Sequence, residues 1–186
     1  MRTSRGRANY DFFDTDPESV ETIESAARDL NLSIRVHTEV SDGCSGVLDA
    51  FRGRPDGCVH IDPFDPFTPG TPGGPSPVEL ARTLAQAGTT VIYWYGYEKQ
   101  AERFWAWDEI ALRSGASAAF WIGDFSYCEP ETESGIVGCG VLVGNASESS
   151  IERCEAFGQR LAVVYQDARL PSGSRGSVSF GVQART

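Results

Sequence analysis

No apolar run among the 186 residues approaches the roughly 18 that a membrane-crossing helix requires, so no helical membrane span is expected. The basic opening, Met1-Arg2-Thr3-Ser4-Arg5-Gly6-Arg7, is not followed by the apolar segment of a signal peptide, and a cytoplasmic protein is expected. Histidine is scarce. His37 and His60 both stand in strand-like apolar runs, which leaves little for a catalytic base and no Ser/His/Asp arrangement. The five cysteines (44, 58, 128, 139 and 154) are odd in number and none has CxxC spacing. That pattern argues against a zinc site and for buried free thiols in a reducing compartment; no metal ligands are assigned. Basic charge is also short. Sixteen Lys and Arg face 26 Asp and Glu, for a net charge of −10, and the one basic cluster is at residues 2–7. Binding to a long polyanion needs many cationic contacts to phosphate, so unaided binding to duplex DNA or structured RNA is disfavoured. A small substrate or a basic partner subunit suits this charge better. Internal repeats and low-complexity segments are absent.

What is present is ordinary globular material, 40% hydrophobic and 23% charged, enough for one domain over residues 1–186 with a full core. Tyr10-Asp11-Phe12-Phe13 reads as a short strand ending at Asp14. Thr15-Asp16-Pro17-Glu18 then opens a helix that Thr15 or Asp16 can cap, with Pro17 in its first turn and Val20, Ile23, Ala27 and Leu30 as its apolar stripe. Ser33 to His37 reads as a second strand, Ser41-Asp42-Gly43 as a turn and Val47 to Phe51 as a short helix. Cys58-Val59-His60-Ile61 is a third strand, and a Pro- and Gly-rich irregular loop fills 62–77. Beyond it come a helix from Pro77 to Ala87, a strong strand signal at Thr89 to Tyr95 and a helix from Lys99 to Ser114. Strands at Ser117 to Ile122 and Val137 to Val143, a helix from Ser147 to about Tyr165 and a last strand at Val178 to Val182 complete the chain. Alternation of this kind predicts an α/β fold with a mostly parallel sheet, and the late strands predict an antiparallel edge.

Three acidic turns follow three strands. Ligands of open α/β sheets bind outside the carboxyl ends of the strands. Asp14, with Asp16 beside it, is placed to accept ribose hydroxyls, or else simply to cap a helix. Asp42-Gly43 can accept an adenine amino group, or else make an ordinary Asp-Gly turn. Asp62-Pro63-Phe64-Asp65 carries the most specific chemistry: a carboxylate for an amine, a stiff proline and an aromatic face for a flat ring. Its alternative is a Pro-rich surface loop that happens to contain acids. Gly138-Cys139-Gly140-Val141-Leu142-Val143-Gly144 has the wrong spacing for a phosphate loop and lies within a strand-like run. Its glycines are read as letting the backbone pass close to a neighbour.

The order of these pieces resembles the S-adenosylmethionine-dependent methyltransferases, most closely the bacterial ribosomal RNA large-subunit adenine-N6 methyltransferases. Phe13-Asp14-Thr15-Asp16-Pro17-Glu18 is similar to that family's ribose-binding turn, and Asp42-Gly43-Cys44 to its turn near the cofactor adenine. His60-Ile61-Asp62-Pro63-Phe64-Asp65 stands where the family has Asp-Pro-Pro-Tyr, and Gly138 to Asn145 resembles its late Gly-x-Gly strand. The resemblance implies a Rossmann-like methyltransferase sheet, S-adenosylmethionine as cofactor and transfer of methyl to an amine on a nucleobase or small molecule. Asp14, Asp16, Asp42 and Gly43 would then bind cofactor, and Asp62, Pro63, Phe64 and Asp65 would hold the acceptor. RNA is implied by the family and opposed by the net charge. Two departures stand out. Phe64 and Asp65 replace the second proline and the aromatic, and the family's first strand with its glycine-rich turn has no counterpart before Tyr10. A catalytically degenerate binding or scaffold subunit, completed as a homo- or hetero-oligomer, is the alternative. A hydrolase using Asp62, Asp65 and Mg²⁺ is a third reading.

Overall fold

A computed structural model describes residues 8–32, 35–51, 57–115, 118–127, 135–166 and 178–185. The basic cluster at 2–7, Cys128 and the expected strand residues Ser33, Ile34 and Ser117 lie outside them. The described residues divide into two compact units, one drawn from Met1–Arg54 and Phe67–Ser76, the other from Pro55–Pro66 and Pro77–Thr186.

The first unit is a parallel strand pair with two helices. Strand β1 (Tyr10–Asp14) pairs with β2 (Val36–Val40), so both strands end on the same side. Helix α1 (Pro17–Asp29) packs on both strands through Val20 and Ala27, and Thr38 Oγ1 donates to Glu24 Oε1 at 2.7 Å. Helix α2 (Gly43–Phe51) begins four residues earlier than Val47 and absorbs the Asp-Gly turn as its start. It lies against β1 with Gly46 over the Phe13 ring, where a Cβ would collide with the ring.

The second unit holds a five-stranded sheet in the order β3-β4-β6-β5-β7, formed by Cys58–Ile61, Thr90–Tyr97, Gly138–Gly144, Phe120–Tyr127 and Val178–Arg185 respectively. Strand β3 is parallel to β4, while β6 runs antiparallel to both β4 and β5, and β7 is antiparallel to β5. Strands β3, β4 and β5 therefore share a direction. The architecture is α/β and Rossmann-like, with a mixed sheet whose antiparallel character reaches inward because β6 sits between β4 and β5. Among the described residues β1 has one strand neighbour and β3 has one.

The core follows from alternation. On β4 the residues Val91, Tyr93, Tyr95 and Tyr97 are buried and the intervening ones are not. Helix α3 (Pro77–Gln86) covers β4 with Leu80, Ala81, Leu84 and Ala85. Each large apolar side chain so buried contributes about 1.5–3 kcal/mol. The carboxyl end of α3 is closed by Asn145, whose Nδ2 donates to Ala85 O at 2.7 Å and Thr89 O at 3.0 Å. Helix α4 (Glu148–Gln166) packs on β5 and β7.

Residues 99–114 depart from the plain helix expected of them. They form a 3₁₀ turn at Gln100–Glu102, a π-helical turn at Trp107–Ala111 and a second 3₁₀ turn at Leu112–Ser114. The aromatics explain this. Trp105 stands edge-on to Tyr95 and Tyr93 at centroid distances of 5.5 and 6.2 Å and donates from Nε1 to Gly96 O at 3.0 Å, while Trp107 is buried. Docking two indoles so close in sequence overrides the regular 3.6-residue turn.

Candidate functional site

The carboxyl ends of β1 and β2 meet as the parallel pairing requires. Asp14 is paired in register with Val40, and Ser41 N donates to Asp14 O at 3.0 Å. Asp14 is half-buried, and its Oδ1 accepts from Asp16 N at 2.9 Å. Of the two cap residues the sequence offers for α1, Asp16 serves. Its Oδ1 accepts from Glu18 N at 3.2 Å, and its Oδ2 from Ser19 N at 3.1 Å and Ser19 Oγ at 2.8 Å. The Ser19 hydroxyl, followed by the Glu18 amide, holds the Asp16 carboxyl below its ordinary value. A depressed folded-state pKa means stability present above the unfolded value and lost as pH falls through the folded one. Asp16→Ala is thus expected to lower the melting temperature near neutral pH and to leave it unchanged once the pH is well below about 3.9. Thermal unfolding of both proteins at the two pH values checks this.

Asp42 caps α2 in the same way. Its Oδ2 accepts from Ser45 N at 2.9 Å and Ser45 Oγ at 2.7 Å, and Ser45 Oγ lies 3.1 Å from Thr71 Oγ1. The loop backbone closes on the other carboxylate oxygen, for a Cβ on Gly70 would run into Asp42 Oδ1. Gly43 is the first residue of α2. Cys44 next to it is buried, and that burial, with Asp42 nearby, pushes its thiol up to about 11, so it stays protonated. In the described region, Cys44, Cys58, Cys139 and Cys154 are all free.

In the second unit, buried Ile61 ends β3 opposite Tyr93 of β4, and the chain then turns outward. Asp62 and Asp65 are exposed and Pro63 is half-buried. Phe64 is fully exposed at 107%. Pro66 O accepts from Val78 N at 3.1 Å, which ties the turn to the first residues of α3. The residues expected to hold the acceptor stand at one strand end in the second unit, while those expected to bind cofactor all fall in the first. Within the described part of the chain, no group of three or more His, Cys, Asp or Glu side chains is placed to hold a metal ion. Nor does any described helix have the length and apolarity to cross a membrane.

A buried polar cluster that sequence reasoning missed lies on β4 and β5. Asp124 has no exposure, and its carboxylate meets Arg103 Nε. Tyr95 Oη donates to Arg103 O at 2.9 Å and lies 3.3 Å from Asp124 Oδ2, while Tyr97 Oη lies 3.1 Å from Asp124 Oδ1 and 2.6 Å from Ser126 Oγ. Burial raises the Asp124 carboxyl above its ordinary value against the opposing pull of Arg103. It pushes Tyr97 up to about 12 and Tyr95 upward as well. The glycines of the late strand make room for this cluster, since Gly140 pairs with Tyr95 and Gly138 with Tyr97. The signal was the matched alternation of Tyr93-x-Tyr95-x-Tyr97 with Gly138-x-Gly140. Only the pairing register links the two.

No protein-family model matches the chain, and no curated protein matches it in sequence. Among solved structures it is similar to the crystal structure of protein LPL1258 from Legionella pneumophila strain Philadelphia 1, described by the family model DUF519. The two superpose with a TM-score of 0.60 at 14% identity, over 97% of this chain and 62% of that one. The likeness shows a shared α/β fold, and this chain spans about three-fifths of its neighbour's length.

Proposed function

We propose that this chain is a methyltransferase-type α/β domain that holds a planar amine at Asp62-Pro63-Phe64-Asp65 and uses S-adenosylmethionine. One observation carries the reading: a fully exposed phenyl ring beside an exposed carboxylate, just beyond the carboxyl end of a half-buried parallel strand. A ring so placed gains nothing for the fold, and it offers a face on which a heterocycle can stack. Asp62 accepts a hydrogen bond from the amine and aims the nitrogen lone pair. The Pro63 carbonyl accepts a second. Fixing the nitrogen in this way removes much of the orientational cost of an in-line displacement. The cofactor, when bound, supplies the electrophilic methyl group. Asp14, half-buried at a strand end, has the carboxylate chemistry to accept the ribose hydroxyls of such a cofactor. Asp42 fits less well, because its carboxylate is engaged by Ser45 and crowded by Gly70. A net charge of −10 favours a small-molecule amine or free nucleobase over RNA as acceptor.

Asp42's cap role, and the single strand neighbour that β1 and β3 each have among the described residues, favour a second reading. In it the domain is a binding subunit completed by a partner chain. Calorimetric titration with S-adenosylmethionine, followed by a methyl-transfer assay on heterocyclic amines, separates the two. The first reading expects binding and transfer by the chain alone. It also expects Phe64→Ala to lower kcat/KM about 10- to 100-fold, the loss of one stacked base at ~1–3 kcal/mol, with an unchanged melting temperature. Absence of cofactor binding except in the presence of a partner protein would establish the second.

A further inference from the structure

A cavity of about 500 Å³ opens between the sheet and α4, on elements that do not carry the acceptor turn. Phe120 and Trp121 of β5, Val143 of β6 and Ile151 of α4 supply its apolar walls. Its charged groups are Glu148, Glu152 and Glu155, and no described Lys or Arg lines it. The spacing of these glutamates puts all three on one face of α4, one turn apart, turned toward the same space. Glu155 is held in place, because its Oε1 accepts from Trp121 Nε1 at 2.9 Å. Glu148 and Glu152 are exposed at the rim.

We infer that this cavity binds an organic ammonium ion with an apolar body, an arylalkylamine or alkylamine in class. The size suits a small ligand, and apolar walls with a few polar groups on one side are what such a site needs. Acidic groups four apart on a helix repel one another, and nothing described in the cavity neutralises them. A bound ammonium group does so. The apolar walls take the ligand's hydrocarbon. The same charge excludes carboxylates, phosphates and nucleic acid from this cavity.

The test is calorimetric titration of the full chain with phenylbutylamine and with phenylbutanol, its uncharged counterpart. The amine is expected to bind at least about tenfold more tightly, a difference of ~1.4 kcal/mol. Glu148→Gln combined with Glu152→Gln is expected to abolish that preference. Both positions are exposed, so circular dichroism should match the parent, and the melting temperature should move little as relieved repulsion offsets the lost charge in the first turn of α4. Ile151→Trp, which fills the cavity, is expected to remove binding of both ligands. Equal affinity for amine and alcohol, a preference that survives the double substitution, or no binding of either compound would overturn the assignment.

Discussion

Asp124→Ala is expected to lower the free energy of unfolding by about 3–5 kcal/mol, the range for breaking a buried ion pair on one side. Asp124 is fully buried, and its carboxylate is the meeting point of Arg103, Tyr95 and Tyr97. Truncation strands the guanidinium, whose Nη2 is already buried without a hydrogen-bond partner among the described residues. Arg103 keeps 26% of its side chain exposed, which lets some water reach the charge and places the effect toward the lower end of that range. Urea denaturation of parent and variant measures it; a loss within experimental error would mean that the cluster is not formed in solution. The pH dependence has a definite sign. Burial raises the Asp124 carboxyl, so the folded state holds its proton more firmly than the unfolded chain does. The part of its contribution that depends on protonation is complete below about pH 3.9 and is lost as pH rises through the raised folded value. Asp124→Asn removes this titration, so the stability gap between parent and Asn variant should narrow from about pH 4 toward neutrality. A gap that widens instead would mean that Arg103's attraction exceeds the cost of burial.

Gly140→Val is expected to destabilise the protein by about 3 kcal/mol, at the upper end for overpacking a filled core. A Cβ at position 140 would lie 2.5 Å from Tyr95 Oη, the residue directly across the β4–β6 pair. Tyr95 has little room to move, being only 2% exposed and hydrogen-bonded through its hydroxyl to Arg103 O. In an open strand, replacing glycine by a β-branched residue normally stabilises, so a loss here identifies steric conflict. Two further variants make the attribution specific. Gly140→Ala should still destabilise, and Tyr95→Leu combined with it should cost less than the two single changes added together, because the Tyr95 oxygen and two ring carbons at 2.5, 2.6 and 2.7 Å from the new Cβ are then all gone. Additive losses would mean that Tyr95 is not what the new side chain meets.

Local chemistry was legible where neighbours in sequence decide the outcome. Pro17 in a first turn behind an Asp cap, the closure of α3 before Gly88 and the apolar run of β3 all follow from short-range rules, and each forms. Gly88, at φ +88°, has the left-handed backbone that ends α3 and that other residues resist. The irregular turn at Asp62-Pro63-Phe64-Asp65 was also legible, because a proline-rich stretch after a strand leaves the sheet whatever surrounds it. The role of Asp42 was harder to see. Its alternatives, ligand acceptor or turn, differ only in what approaches the carboxylate, and the approach comes from Ser45 and from Gly70, far along the chain.

By itself the sequence determined the α/β alternation, most strand and helix positions, the strand-end placement of Asp14 and Asp62, and the acidic net charge. These depend on periodicity, caps and charge, which act over a few residues or over the whole composition. The tertiary structure alone decided that β6 inserts between β4 and β5, that Gly138 and Gly140 oppose two tyrosines, and that Arg103 meets Asp124 beneath them. It also decided that Glu148, Glu152 and Glu155 share a cavity with Trp121. Those facts require strands and helices distant in sequence to pack in one register, and that register is fixed by the fit of side chains across the sheet.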